Sequence, residues 1–331
     1  MMSNWIKRPA FSILYVASGL LFGIALLSTL SFTNVVDGEK PAGNKPVQVA
    51  TPFVIPEMMS FAGEQVPLGN FDTRESLDRE ILVNAYWHSR TLLLLKKSKR
   101  FFAAIEPVLK KYGIPEDFKY IPLAESGFEN IVSPAGASGV WQILENTAKE
   151  YGLEVNNEVD ERYHLEKSTE VACKFFLESY NEYKNWTLAA ASYNVGRKGI
   201  QYQIDRQQVS NYYDLLLNEE TARYIFRILA FKLIAENPQQ FGFQLEEDDY
   251  YPALPLFEVK VDSSISNFAE FAGLYSINYK ILKFFNPWLR ENFLTNVAGK
   301  TYLIKIPEGS RRSYPELAAG INEESDDGNP Q

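Results

Sequence analysis

The sequence predicts a mainly α-helical protein that ends in a small α+β module. Between residues 73 and 236, apolar side chains recur at the three- and four-residue spacing of helices that bury one face. Glycines that follow such segments, Gly113, Gly152 and Gly196, indicate where helices end. Near the end of the chain the pattern changes to alternation at 257–261 and 301–307, which is typical of β-strands.

The composition limits the possible functions. The 331 residues carry a formal net charge of −9 at pH 7, and the pI is near 5.0. Surfaces that bind nucleic acid are usually basic, so this balance argues against nucleic acid as a partner. The single cysteine, Cys173, lies in an apolar helical pattern and is expected to be a buried thiol. With His88 and His164 as the two histidines, no zinc site is expected, and no other cofactor is called for.

The N-terminal segment has the features of a membrane anchor. Residues 9–36 carry no charge, and their apolar stretch is long enough to span a bilayer, which takes about 20 residues. Lys7 and Arg8 precede this stretch, which favours a cytoplasmic N-terminus and export of the rest of the chain. We therefore expect residues 1–36 to be an uncleaved transmembrane anchor; a cleaved signal peptide is the alternative. Residues 37–70 are rich in proline, glycine and asparagine and are expected to form a linker, of which the part from Phe53 to Phe61 can pack on the domain.

Three helices are predicted between this linker and Glu125. The first covers residues 73–97 and the second 101–112. Pro115 is favoured as the first residue of the third, because its φ is fixed near the helical value. Glu125 then lies in the last turn, where burial and the negative end of the helix dipole both raise its pKa. A carboxyl group that is protonated near neutral pH can act as a general acid, and the alternative is a solvated helix-terminal glutamate.

The segment after Glu125 combines small residues with an aromatic side chain and an amide. The run at 133–139, S-P-A-G-A-S-G, has turn chemistry and would let a bulky ligand approach the backbone. Trp141 and Gln142 follow, and they offer an aromatic face for stacking on a sugar and an amide for hydrogen bonds. A short helix from about residue 147 is expected to end at Gly152.

Two long helices are predicted further along the chain. The first covers 165–183 and follows a polar loop in which Asp160 is expected to act as a cap. The second covers 219–236, and its residues Glu220 and Tyr224 are one turn apart and share a face. For Glu220, a role in the acidic first turn of the helix is an equally open reading.

A shorter helix is predicted between these two. Three alanines and a serine at 189–192 favour close helix packing, and Gly196 ends the helix. Tyr193 and Asn194 stand at its C-terminal end, where a hydroxyl and an amide can face a cleft. A closely packed helix without a role in binding is the alternative.

Five motifs together resemble those of one enzyme family. E-S-G-F at 125–128, S-P-A-G-A-S-G-V-W-Q at 133–142 and T-A-K-E-Y-G-L at 147–153 are similar to the lytic transglycosylase SLT domain of the goose-type lysozyme superfamily. The most similar type is the membrane-bound murein transglycosylase D. A-S-Y-N-V-G at 191–196 resembles A-Y-N-x-G, with Ser192 in place of alanine, and E-T-A-R-Y at 220–224 resembles E-T-x-x-Y. The resemblance implies a lysozyme-like helical catalytic domain over residues 71–240.

The resemblance also implies which residues form the site. Glu125 is the expected catalytic residue, and Tyr193 is expected to lie close to it. The residues expected to bind substrate are Ser126, Ser133, Gly139, Trp141, Gln142, Tyr193, Asn194, Glu220 and Tyr224. The spacing from Glu125 to Ser133 is one residue shorter than in some subfamilies, which leaves the contact made by Ser133 open.

The implied activity is cleavage of peptidoglycan in the cell envelope. In this family a single glutamate protonates the bond between N-acetylmuramic acid and N-acetylglucosamine, and the product is a 1,6-anhydromuramyl end. The matched motifs supply one carboxylate that is expected to reach the scissile bond, Glu125, because Glu129 and Glu145 lie in segments that look solvated. A muramidase that uses water and a scaffold that binds peptidoglycan without cleaving it are the alternatives. With the anchor in the inner membrane, the catalytic domain would lie in the periplasm.

The C-terminal region is expected to form a separate module. Residues 241–255 are acidic and contain prolines, as expected of a connector. Residues 256–308 have a βααβ order that resembles a LysM glycan-binding repeat, with D-S-S at 262–264 in place of the usual glycine-aspartate turn. Glycan binding and a packing role both remain open for this module. The acidic tail at 309–331 is expected to be disordered.

Overall fold

The structure, a computed structural model, describes residues 51–308 and is mainly helical. The helices are α1 (Phe71–Tyr86), α2 (His88–Tyr112), α3 (Ile121–Glu125), α4 (Glu145–Glu150), α5 (Leu165–Tyr183), α6 (Trp186–Val195), α7 (Arg197–Gln207), α8 (Glu219–Glu236), α9 (Phe268–Gly273) and α10 (Tyr279–Phe285). The strands are β1 (Ser60–Phe61), β2 (Glu64–Gln65), β3 (Leu256–Val261) and β4 (Tyr302–Pro307). The prediction of a mainly α protein with a small α+β module is confirmed.

The first two helices divide at a different place from the one predicted. The break lies at Trp87, where ψ is 57°, and not between residues 97 and 101. The hydroxyl of Thr91 donates a 2.6 Å hydrogen bond to the carbonyl of Asn84 and so bridges the break. The basic run around residue 97 contains no glycine or proline, so α2 continues through it.

The segment directly before α1 packs against the helical domain, so the free linker does not extend to residue 70. Strands β1 and β2 form an antiparallel hairpin, and the ring of Phe61 is fully buried against Phe118. The carboxylate of Glu64 accepts hydrogen bonds from the backbone N–H groups of Trp186 and Thr187, which satisfies the N-terminus of α6. This packing places residues 60–68 within the helical domain, ahead of the boundary expected at residue 71.

Helix α8 lies at the centre of the helical domain. It buries ten side chains, and it packs against α1, α3 and α6. An apolar helix that is buried on several sides holds its neighbours in fixed positions, because protein cores are close-packed. Since α3 ends at Glu125 and α8 carries Tyr224, this packing brings the two side chains together.

The segment before Glu125 is not one continuous helix. Residues Glu116–Tyr120 form a 3-10 turn, and α3 begins only at Ile121. Pro122 has no N–H to continue the hydrogen-bond ladder from the preceding turn, so a single helix from Pro115 is prevented. With five residues, α3 has little helix dipole, and burial is the main influence on the Glu125 carboxyl group.

The C-terminal module has the predicted βααβ order. Strands β3 and β4 pair antiparallel over their full length, from Leu256↔Pro307 to Val261↔Tyr302. Helices α9 and α10 lie between the strands in sequence, and both pack on the module's own core. Its fully buried members include Phe268, Leu282 and Ile304.

The C-terminal module and the helical domain share part of this second core. Val159 of the helical domain is buried in it together with Trp288 and Leu289. The N–H of Asp160 donates to the carbonyl of Trp288 at 2.9 Å, and Val159 and Leu289 form an antiparallel bridge. The guanidinium of Arg290 lies on the ring of Tyr163. The two modules are therefore joined by an apolar interface as well as by the connector.

Some expectations fall on residues outside 51–308. The transmembrane anchor predicted for residues 1–36 and the disordered tail predicted for 309–331 both do so. From residue 51 to residue 308, no helix has both the length and the apolar character needed to cross a membrane.

Candidate active site

The carboxyl group of Glu125 lies at the end of α3, where it is partly buried against α8. Its Oε1 atom accepts a 2.5 Å hydrogen bond from the hydroxyl of Tyr224. Burial raises the pKa of Glu125 to about 7, even though Tyr224 and the charge of Arg227 lower it. At neutral pH the group is therefore divided between its acid and base forms, which suits a residue that must both donate and accept a proton.

Two tyrosines lie near Glu125, the buried Tyr224 and the partly buried Tyr193. Tyr224 on α8 is 1% exposed, and Tyr193 on α6 donates its hydroxyl to the carbonyl of Trp141 at 2.7 Å. Burial raises the pKa of both hydroxyls well above the usual value, so both remain donors across the physiological range. Tyr224 thus stabilises the carboxylate of Glu125 directly. Tyr193 holds the backbone of the loop that faces Glu125.

Trp141 does not offer the aromatic face that the sequence suggested. Its side chain is fully buried, and its Nε1–H donates to the hydroxyl of Thr169 at 2.7 Å. Its ring packs beside those of Phe176 and Tyr193. A tryptophan whose ring and N–H are both used inside the core cannot stack on a sugar, so this expectation was wrong. Trp141 instead anchors the loop on α5.

A close approach to the backbone occurs at Gly139, as expected, but the group that approaches is a carbonyl of the protein and not a ligand. Gly139 has a φ of +78°, and a Cβ atom at this position would overlap the carbonyl oxygen of Arg162. Only glycine allows both the left-handed conformation and this contact. The loop at 131–143 is thereby held against the segment that contains Arg162.

Three other predicted site residues shape the same loop. The hydroxyl of Ser126 donates to the carbonyl of Val140 at 2.8 Å and ties the loop to the residue after Glu125. The amide nitrogen of Gln142 donates to the carbonyls of Gly139 and Ile131, which leaves its oxygen as the free hydrogen-bonding atom. Ser133 accepts a bond from the N–H of Ala137 and caps the turn. These contacts position the loop, and the structure does not assign them to a substrate.

Arg162 supports this loop from the opposite side. Its guanidinium forms a bidentate pair with Asp160 at 2.9 and 2.7 Å and donates to the carbonyls of Gly136 and Ile143. Asp160 also accepts from the N–H of Arg162, as expected of a cap. The pair is almost fully buried. The sequence shows the two residues but not this bridge to the loop, because the partners lie about 20 residues away.

Glu220 lies in the first turn of α8, and Asn194, near the end of α6, contacts that turn. The Oδ1 atom of Asn194 accepts from the hydroxyl of Thr221 at 2.9 Å. The Glu220 carboxylate is 63% exposed and pairs with Arg227 at 3.3 Å, and its charge raises the pKa of Glu125 slightly. Arg227 was not predicted, although it lies three residues after Tyr224 and thus on the same face of the helix.

The other carboxylates near Glu125 in the sequence are solvated, as expected. Glu129 pairs with Lys97 and Glu145 pairs with Lys149, and both carboxylates are more than half exposed. Within the described residues, no group of three or more histidine, cysteine, aspartate or glutamate side chains is placed to hold a metal ion.

Comparison with known proteins agrees with the motifs. Residues 103–216 match the model of the transglycosylase SLT domain, and residues 257–310 match that of the soluble lytic transglycosylase C-terminal LysM-like domain. Glu125, Trp141 and Tyr193 lie within the first match, whereas Glu220 and Tyr224 lie beyond its end.

Two known proteins are similar to this chain in sequence. The membrane-bound lytic murein transglycosylases D of Escherichia coli K12 and of Escherichia coli O6:H1 are each 26% identical over 273 residues. The match covers 80% of this chain and 59% of each relative, so the chain spans less than two thirds of their length.

Two solved structures are more distantly similar. An inactive mutant of the lytic transglycosylase Slt from Pseudomonas aeruginosa is 15% identical, with a TM-score of 0.33 over 46% of this chain and 26% of that one. The 70 kDa soluble lytic transglycosylase of Escherichia coli is 17% identical, with a TM-score of 0.37 over 54% of this chain and 32% of that one. The resemblance predicted from the motifs is confirmed by the two domain matches: residues 103–216 are similar to the transglycosylase SLT domain, and residues 257–310 are similar to the LysM-like domain.

Proposed function

We propose that the protein is a lytic transglycosylase that cleaves the β-1,4 bond between N-acetylmuramic acid and N-acetylglucosamine in peptidoglycan. The observation that carries this proposal is the Glu125 carboxyl group, which is partly buried, bonded to Tyr224 and has a pKa of about 7. The SLT domain match and the names of the relatives, lytic murein transglycosylases, support the choice of substrate.

In the proposed reaction Glu125 acts first as an acid and then as a base. Its proton passes to the glycosidic oxygen as the bond to C1 of the muramyl residue breaks, and the substrate's N-acetyl group stabilises the developing cation. The resulting carboxylate, stabilised by the Tyr224 hydroxyl, accepts the proton of the muramyl C6 hydroxyl while that oxygen bonds to C1. The product is a 1,6-anhydromuramyl end, and no water is consumed.

A single carboxylate is sufficient for this route. Glu129 and Glu145 are exposed and paired with lysines, so neither is available inside the cleft. Glycosidases that use two carboxylates need the second one opposite the scissile bond. Substrate assistance replaces this second group in the mechanism proposed here.

The proposal is tested by the chemistry of the product ends. Purified peptidoglycan would be digested with the full chain and with its Glu125→Gln variant, and the muropeptides would be analysed by mass spectrometry. We expect anhydro ends from the wild type and none from the variant. Glu129→Gln, which alters an exposed glutamate in the same segment, serves as the matched control and should remain active.

A muramidase is the second candidate, because one observation favours it. Glu220 lies one helical turn before Tyr224, which donates a hydrogen bond to Glu125, and the charge of Glu220 raises the pKa of Glu125. If Glu220 activated a water molecule, the digest would contain reducing ends, and Glu220→Gln would abolish them. Binding of peptidoglycan without cleavage by the wild type would instead support a non-catalytic scaffold.

For the location, we propose the cell envelope, with residues 1–36 as an inner-membrane anchor and the remainder in the periplasm. The uncharged segment at 9–36 supports this proposal, and so does the description of the relatives as membrane-bound. Fractionation of cells that express the full chain or a chain without residues 1–36 tests it. The full chain should sediment with membranes, and the shortened chain should not.

A further inference from the structure

Arg90 is a partly buried cation without an acidic partner. Among residues 51–308, no carboxylate oxygen lies within the 4.0 Å ion-pair distance of its guanidinium. Burial and the nearby charge of Arg227 both lower the pKa of Arg90, so its surroundings oppose the charge. An arginine nevertheless stays protonated in proteins. A charge that is partly removed from water costs free energy, and an anion that pairs with it offsets this cost.

Helix α2 carries this cation towards Glu125. Arg90 lies one turn before Leu94, whose side chain would be 3.0 Å from a Cβ atom on Gly127, two residues after Glu125. Arg227 follows Tyr224 by three residues on α8, and its charge acts on both Glu125 and Arg90. Its ion-pair partner is the exposed Glu220. Within the described part of the chain, Arg90 therefore remains without a carboxylate partner, whereas Arg227 has one that is mostly solvated, in a chain with a net charge of −9. A guanidinium without a carboxylate partner indicates a place for an anion.

Trp87 adds an aromatic surface to the two cations. It lies at the break between α1 and α2 and is 53% exposed, in contrast to the buried Trp141. The guanidinium carbon of Arg90 is 4.6 Å from the centroid of its ring, so the two side chains are held together. An exposed ring beside a cation suits a ligand that is both a sugar and an anion.

We propose that Trp87, Arg90 and Arg227 form a subsite that binds a carboxylate of the muramyl unit beside Glu125. This inference rests on the proposed function, because it takes peptidoglycan as the substrate. A muramyl residue differs from N-acetylglucosamine by a lactyl group, whose carboxylate is free in peptide-free strands. In strands with stem peptides, the peptide carboxylates take its place. A guanidinium binds either through paired hydrogen bonds.

The test compares a muramyl glycan with a neutral one. The full chain carrying Glu125→Gln, kept in detergent, would be titrated by calorimetry with a peptide-free tetrasaccharide of alternating N-acetylglucosamine and N-acetylmuramic acid. The same titration would use the peptide-bearing tetrasaccharide and a tetramer of N-acetylglucosamine. Arg90→Ala and Arg90→Lys would be added to this background. The C-terminal module is identical in all variants, so differences between them report the Arg90 site.

We expect Arg90→Ala to weaken binding of a muramyl glycan about tenfold or more, and binding of the neutral tetramer less than twofold. Arg90→Lys should restore part of the loss, because it keeps the charge. Arg206→Ala is the matched control, since Arg206 also lies over an exposed ring, that of Tyr202, and it should change neither affinity. Whichever muramyl ligand loses more affinity identifies the source of the carboxylate.

Two results would overturn the inference. Equal losses for muramyl and neutral glycans would mean that Arg90 supports the fold, and no loss would mean that it does not contact the substrate; both leave the proposed function intact. If the Glu125→Gln parent bound neither glycan, the proposed substrate itself would be wrong, and the subsite would fall with it. Thermal melting of each variant separates a loss of folding from a loss of binding.

Discussion

Replacing Tyr224 by phenylalanine isolates the effect of one hydrogen bond on the pKa of Glu125. The variant keeps the buried ring and removes the hydroxyl that donates to Oε1 at 2.5 Å. That bond lowers the pKa of Glu125, against the larger effect of burial that raises it to about 7. A hydrogen bond to a charged group contributes about 1.5–3 kcal/mol, and one pKa unit is about 1.4 kcal/mol. We therefore expect the pKa to rise by about 1–2 units in this variant.

The pH profile of cleavage reveals this change. Since Glu125 must be protonated to act as an acid, kcat/KM falls as the pH rises through its pKa. With soluble glycan strands as substrate, the alkaline limb of the profile should move upward in Tyr224→Phe. Tyr193→Phe is the control, because its hydroxyl donates to the carbonyl of Trp141 and not to Glu125. An alkaline limb that stayed in place or moved downward in Tyr224→Phe would refute the assignment of the limb to Glu125.

Three further predictions concern stability. Because burial raises the pKa of Glu125 from 4.5 to about 7, its contribution to folding is complete below pH 4.5 and is lost as the pH rises through 7. Between these pH values the free energy of unfolding, measured with urea, should therefore fall less in Glu125→Gln than in the wild type, by up to about 3 kcal/mol. Gly139→Ala should lower the melting temperature strongly in a thermal scan, since its Cβ would overlap the carbonyl of Arg162; an unchanged melting temperature would contradict this. Arg162→Ala leaves Asp160 buried without its partner and should cost about 3–5 kcal/mol by urea titration, with slower cleavage of glycan; a loss below 1 kcal/mol, roughly that of a surface pair, would show that the pair is not structural.

Elements with local signals were predictable from the sequence. Helix α8 begins where Asn218 accepts a hydrogen bond from the N–H of Thr221, and a capping asparagine is visible in the sequence. The C-terminal strands follow from their alternation, and the raised pKa of Glu125 follows from the apolar run that precedes it. Each of these depends on residues close together in the chain.

Features that depend on distant residues were not predictable. A tryptophan within an apolar run can face either the core or a ligand, and only the contact with Thr169 shows that Trp141 faces the core. The break at Trp87 has no proline or glycine to mark it. The proximity of Arg90 and Arg227 comes from tertiary packing across more than a hundred residues. Sequence reasoning therefore found the proposed acid but missed the cations beside it.

The apolar interface between the helical domain and the C-terminal module determines how the protein responds to proteolysis and to heating. Val159 would become exposed if the module were removed, and so would part of the surface around Tyr163. A protease that nicks the connector at 241–255 should leave the two fragments associated, because the interface and not the connector holds them. Residues 51–308 should accordingly melt in a single cooperative transition, and a chain that ends at residue 255 and so lacks the module would be prone to aggregate.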